Sequence, residues 1–126
     1  MANELILIVE DNPKNLKLVR DVLQVRGYRT IEAGTGEEGV QLARDQQPAL
    51  ILMDIQLPGI TGEEAFHQLR ADPVTRAVPV IAVTASVMPQ DQKRIMAAGF
   101  DGFQGKPLSV RELLETIRTI LDKSCQ

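Results

Sequence analysis

Three carboxylates stand directly after short apolar runs: Glu10 and Asp11 follow Leu5–Val9, and Asp54 follows Ala49–Met53. If the fold brings them together, each pair of like charges roughly 4 Å apart costs about 4 kcal/mol at an effective dielectric near 20. Such a cluster needs a cation or a proton. An all-oxygen set selects a hard ion, and Mg2+ fits because it takes one or two carboxylates plus waters and often a phosphate. Two further apolar runs end in a different chemistry. Thr84 with small Ala85 and Ser86 follows Val78–Val83, and Lys106 with Pro107 follows Gly102–Gln104. A hydroxyl, a backbone amide left open by a small side chain, and a lysine are what the oxygens of a phosphoryl group require. Together the two groups point to a carboxylate that accepts a phosphoryl group, with Asp54 as the nucleophile. Read alone, Asp11 or Asn12 serves equally as a cap for the helix that follows.

The elements that must position these residues are legible from hydrophobic pattern and punctuation. Leu5–Val9, Tyr28–Ala33, Ala49–Met53 and Val78–Val83 are short apolar runs bounded by turn residues, and Gly102–Gln104 is a weaker fifth. Continuous runs of this kind predict strands buried on both faces, as in a parallel sheet. Asn12 before Pro13 predicts a helix over about residues 13–26 that Gly27 can close. Thr35 with Glu38, Thr61 with Glu64, and Ser109 with Glu112 match the capping box, in which hydroxyl and carboxylate satisfy backbone amides reciprocally. Pro89 opens a fourth helix ended by Gly99, and Val110, Leu113, Leu114, Ile117, Ile120 and Leu121 form one stripe on a fifth. Strict alternation of strand and helix predicts an α/β domain, a five-stranded doubly wound parallel sheet of the flavodoxin-like kind with order 2-1-3-4-5. Ligands of such sheets bind beyond the carboxyl ends of the strands at the switch point between strands 1 and 3. That is where Glu10, Asp11 and Asp54 stand.

Length and charge narrow the function. The 126 residues fit one domain spanning 1–126 and leave no room for an attached effector, so output through a protein contact is expected. Lys and Arg number 14 against 17 Asp and Glu, a net charge of −3 without a basic cluster, which argues against nucleic-acid binding. The apolar run near the N-terminus is too short for a signal peptide, and no stretch is long enough for a membrane span. A cytoplasmic protein with no membrane contact is expected. The lone Cys125 has no partner within the chain.

The stretches Ile6–Asn12 (ILIVEDN), Leu50–Pro58 (LILMDIQLP), Pro79–Ala85 (PVIAVTA) and Gly105–Val110 (GKPLSV) resemble the receiver domains of bacterial two-component response regulators. The likeness covers nearly the whole chain. The wording LMDIQLP and KPLSV is similar to the single-domain DivK-type regulators and to receivers attached to hybrid histidine kinases. The resemblance implies Asp54 as phosphoacceptor, with Asp11 bound to Mg2+ directly, Glu10 through water, and Gln56 through its backbone carbonyl. It implies Thr84 and the Ala85 amide on the phosphoryl oxygens, Lys106 as the opposing ion-pair partner, and a cis bond between Lys106 and Pro107. Thr84 and Phe103 would form the switch, with Phe103 standing where tyrosine is commoner. A sensor histidine kinase or histidine phosphotransfer protein would dock near Asn15, Leu16 and Leu108. A downstream protein would meet the face of the fourth helix, fifth strand and fifth helix, bordered by Met88, Gln92, Arg111 and Glu115.

Competing readings attach to the same residues. Phe103 is equally an ordinary core residue. His67 lies mid-helix without a nearby nucleophile, which predicts a surface or packing role, and Met88 and Met96 are expected as core or interface filler. A flavin- or nucleotide-binding module of the same architecture is opposed by the acidic loop Glu10-Asp11-Asn12-Pro13, which lacks the glycine and hydroxyl residues that cradle a phosphate. A Mg2+-dependent phosphohydrolase using Asp54 is opposed by the absence of a second acid close to it in the sequence and of a substrate-cap domain.

Overall fold

The computed structural model describes residues 4–57, 59–84, 89–105 and 109–124. Strands and helices alternate as β1 (Leu5–Val9), α1 (Pro13–Val25), β2 (Arg29–Ala33), α2 (Gly36–Gln46), β3 (Leu50–Asp54), α3 (Gly62–Ala71), β4 (Val80–Thr84), α4 (Pro89–Ala98), β5 (Gly102–Gly105) and α5 (Val110–Ser124). All strand pairs are parallel, and the order is β2-β1-β3-β4-β5, the flavodoxin-like arrangement expected from the sequence.

Each helix start has a local cause. The Asn12 side chain accepts from the Lys14 amide at 2.9 Å and the Asn15 amide at 3.4 Å, and Pro13 occupies the first helical position, where a missing amide costs nothing. At the other end Arg26 caps the helix and Gly27 turns the chain at φ +91°, so α1 ends one residue earlier than the pattern predicts. Thr61 and Glu64 form the full capping box. The one predicted at Thr35 is half formed: Thr35 accepts from the Glu38 amide, but the Glu38 carboxylate takes the Gly34 amide at 2.9 Å instead. The Ser109 hydroxyl accepts from the Glu112 amide at 3.4 Å. Strand edges shift by one or two residues: β3 extends to include Asp54, and β4 begins only at Val80, after Pro79.

Two apolar layers sandwich the sheet. Leu7, Val9, Ile51, Met53, Val80 and Ala82 face α2, α3 and α4, where Phe66 stacks on Phe100 with ring centroids 4.0 Å apart. Ile6, Ile8, Leu50, Leu52 and Ile81 face α1 and α5 through Val19, Leu23, Leu113, Ile117 and Leu121. Burial on both faces is why these strands read as unbroken apolar runs.

Polar ties gather at the amino ends of the strands. The Arg70 guanidinium donates to the Val78 carbonyl at 2.7 Å and to Asp101 at 2.9 Å, while Asp101 also accepts from the Val80 amide at 2.8 Å. Arg118 on α5 reaches Glu4 at 3.0 Å and the Tyr28 hydroxyl at 3.5 Å. Burial pushes the Tyr28 phenol above its ordinary value near 10, and the neighbouring Arg118 charge offsets part of that rise. A raised phenol stabilises the fold below the unfolded value and loses that contribution as pH climbs through the folded one. The thermal midpoint is therefore expected to fall more steeply above pH 10 in the wild type than in Tyr28→Phe. Parallel melting curves on both proteins across that range test it, and identical slopes would refute it.

Candidate functional site

Register places the acidic residues. Val9 pairs with Met53, so the next residue on each strand, Glu10 and Asp54, lies at the same level across the switch point. Glu10 keeps the ladder going by donating its amide to Ala33 O at 3.0 Å, and Ile55 does likewise to Val83 O at 2.9 Å. Only Glu10–Asn12 separate β1 from α1. This short connection turns the Asp11 carboxylate back toward the other two.

Carboxylate oxygens of Glu10, Asp11 and Asp54 lie within 4.8 Å of one another. Glu10 and Asp54 are buried at 6 % and 3 % exposure, and Asp11 is open to solvent. Asn12 supplies the helix cap, so of the two roles open to Asp11, the cluster is the one it takes. Two backbone amides orient the buried pair: Gln56 N donates to Asp54 Oδ1 at 2.9 Å, and Asn12 N to Glu10 Oε2 at 3.3 Å. Three mutually close carboxylate oxygens, two of them on buried residues, suit a small hard cation, since the ion offsets a repulsion that buried side chains cannot escape by moving into water.

Thr84 ends β4 next to the Asp54–Val83 pair, is 2 % exposed, and pairs with Gly105 of β5. Phe103 is half-buried and packs against the α2, α3 and α4 layer, as a core residue would. Gln56 is exposed beside Asp54 and donates its amide to that carboxylate. Lys106, Ala85, Met88, Leu108 and the Lys106 to Pro107 bond lie outside the described residues. Gln92, Arg111 and Glu115 are exposed, the last two as an ion pair at 3.2 Å, while Asn15 and Leu16 are half-buried. His67 is exposed on α3, its ring 6.1 Å from that of Phe66, and takes no part in the acidic cluster.

Two residues of the site gave no signal in the sequence. Gly62 opens α3 hard against the end of β3: a β-carbon there would stand 2.7 Å from the Ile55 Cα and collide with the Asp54 carbonyl oxygen. Glu37 of α2 holds the loop after β3 by accepting from the Ile60 amide at 3.0 Å. Both act across tertiary distance, which leaves no local pattern in the sequence.

The cavity against the carboxylates, lined by Ile8, Val19, Leu52, Val83 and Leu113, holds only about 10 Å3. The larger hollow, about 790 Å3, is an open groove between α1 and α5 lined by Arg26, Tyr28, Val110, Leu114 and Arg118, beside the amino ends of the strands.

Comparison with known proteins places this arrangement. The sequence profile of the response regulator receiver domain matches residues 6–118. The polar-differentiation response regulator DivK of Brucella ovis is 47 % identical over 116 residues, 92 % of this chain and 94 % of that protein, and DivK of Brucella suis gives the same figures. The crystal structure of the receiver domain of a Pseudomonas aeruginosa sensor histidine kinase, described with magnesium coordinated in its active-site cleft, superposes with a TM-score of 0.88 at 33 % identity, covering 95 % of this chain and 98 % of that one. A CheY-like receiver domain protein of Methanospirillum hungatei superposes with a TM-score of 0.88 at 30 % identity, covering 97 % and 96 %.

Proposed function

The chain belongs to the response regulator receiver domains, and from that premise we propose that it is a phosphoacceptor over residues 1–126, taking a phosphoryl group onto Asp54 from a histidine kinase or histidine phosphotransfer protein. The observation that carries this reading is the meeting of Glu10, Asp11 and Asp54 at the ends of β1 and β3, with two of the three buried. Asp11 and Asp54 would hold Mg2+ directly, the Gln56 carbonyl would be a further ligand, and Glu10 would act through water. When bound, the ion neutralises negative charge on the carboxylates and on the incoming phosphoryl oxygens. The magnesium described in the Pseudomonas relative supports that assignment.

The side chains divide the work of transfer. The Gln56 amide fixes the Asp54 carboxylate through Oδ1. An Asp54 oxygen attacks phosphorus, the new P–O bond forms as the P–N bond to the donor histidine breaks, and the histidine takes the bonding electron pair. Because Asp54 reacts as the carboxylate, no proton has to leave it. The Thr84 hydroxyl and Ala85 amide donate to phosphoryl oxygens and the Lys106 ammonium pairs with them, positive charge placed where negative charge gathers. The product carries about two negative charges where there was one, and it biases the protein only through contacts stronger in one state, here with Thr84 and Lys106. Phe103 and the α4, β5 and α5 face would transmit the change to a downstream protein. The chain acts in the cytoplasm as a signalling protein that assists its own phosphorylation and dephosphorylation rather than as an enzyme of metabolism.

Incubation with acetyl phosphate, followed by intact mass, tests the reading. One added phosphoryl group is expected with Mg2+ and none with EDTA. A chain that stays unmodified in saturating acetyl phosphate and Mg2+ would overturn it.

A further inference from the structure

The loop after β3 is fastened to the start of α2 by contacts that no part of the transfer chemistry calls for. Glu37 accepts from the Ile60 amide at 3.0 Å. Its carboxylate also lies directly over Gly59, whose φ of +78° is a conformation side-chain-bearing residues rarely adopt; a β-carbon there would sit 2.7 Å from Glu37 Oε2. Ile60 itself is seated on Gly36, where a β-carbon would come within 2.7 Å of Ile60 Cγ1 and 3.1 Å of its carbonyl oxygen. A hydrogen bond, a turn and a close side-chain approach thus converge on residues 59 and 60.

That loop begins at Asp54 and is closed at its far end by the bond from Gly62 N to Ile55 O. Gln56, four residues before Ile60, orients Asp54 through its amide. A tie at Ile60 therefore reduces the freedom of the segment from which both the Asp54 orientation and the proposed carbonyl ligand arise.

We infer that Glu37 is a positioning residue, a clamp from α2 that fixes Gly59 and Ile60 and thereby favours cation binding beside Asp54. The cation part rests on the proposed function. The clamp itself is a property of the metal-free chain. Outer groups of this kind act by orienting the groups that touch the ion rather than by touching it. An exposed hydrogen bond limits the effect to roughly three- to tenfold in affinity.

The test compares wild type, Glu37→Ala and Glu37→Gln. Amide exchange is followed by NMR on the metal-free proteins, Mg2+ affinity by calorimetry, and adduct formation from acetyl phosphate at low and saturating Mg2+. The alanine variant is expected to exchange faster at Ile60 and Gln56 and to bind Mg2+ about three- to tenfold more weakly. Its adduct rate should recover at saturating Mg2+. Glutamine keeps an acceptor oxygen but no charge, so it should restore protection and most of the affinity. Unchanged exchange at both amides in the alanine variant overturns the clamp, whether or not the protein takes Mg2+. Equal weakening by alanine and glutamine with normal exchange in both also overturns it, because the effect would then be one of charge alone. A wild type that binds no Mg2+ defeats the proposed function, and the exchange comparison still decides the clamp.

Discussion

Asp54→Asn is expected to remove the phosphoryl adduct entirely and, at the same time, to make the metal-free protein more stable. Asparagine preserves the oxygen that accepts from Gln56 and the shape of the side chain, so the exchange subtracts one charge and little else. The three carboxylates have oxygens within 4.8 Å of one another. Two unit charges about 5 Å apart at an effective dielectric of 20 repel by roughly 3 kcal/mol. Solvent reaches Asp11 and weakens its share, which leaves an expected gain of about 1–3 kcal/mol, roughly 4–10 °C in the thermal midpoint. The sign should reverse with Mg2+: the wild type gains stability as the ion binds, and the variant gains much less. Intact mass after acetyl phosphate, with melting curves in EDTA and in Mg2+, measures both halves. An adduct that persists in Asp54→Asn removes the assignment of Asp54, and a variant less stable than wild type in EDTA removes the idea that the cluster is under electrostatic tension.

Gly62→Ala is expected to destabilise by about 3 kcal/mol or more, the reverse of what local propensity predicts. Replacing glycine by alanine in a helix ordinarily gains up to about 1 kcal/mol. Here the added carbon meets the Asp54 carbonyl oxygen and the Ile55 Cα, backbone atoms of the central strand that have no rotamer through which to yield. Either α3 moves off the sheet, opening the layer around Ala65, Phe66 and Leu69, or the end of β3 is pushed out of line. The second response displaces Asp54 itself, so Mg2+ affinity should fall together with stability. Urea unfolding combined with calorimetric titration measures the pair. An alanine variant as stable as wild type would mean that the approach of α3 to β3 is soft.

The sequence carries the acidic site and much of the fold for one reason: strands buried on both faces are continuous apolar runs, and the first polar residues after such a run must lie at the sheet's carboxyl edge. Glu10, Asp11, Asp54 and Thr84 all follow this rule. The Thr61 capping box was legible because its partners are three residues apart. At Thr35 the same spacing misled, since the Glu38 carboxylate accepts from the Gly34 amide, one residue further back than the capping box requires. Glu37 with Ile60 was beyond reach, being separated by 23 residues and made of an exposed acid and a backbone amide that carries no side-chain signature.

The ties around Arg70 and Arg118 join the places where β1, β2, β4 and β5 begin, at the opposite end of the sheet from the carboxylates. Amide exchange is therefore expected to show a slow end and a fast end. At the slow end, an opening must break charged bonds and the stacking of Phe66 on Phe100 together. At the fast end, the bonds that tie the described loops to Asp54 and Glu37 come from backbone amides and carry no cation. Fluctuations that rearrange the rim bearing the carboxylates therefore need not loosen the base. On that expectation, a domain of this size can respond at one edge while keeping its fold, because the charged ties lie at the other.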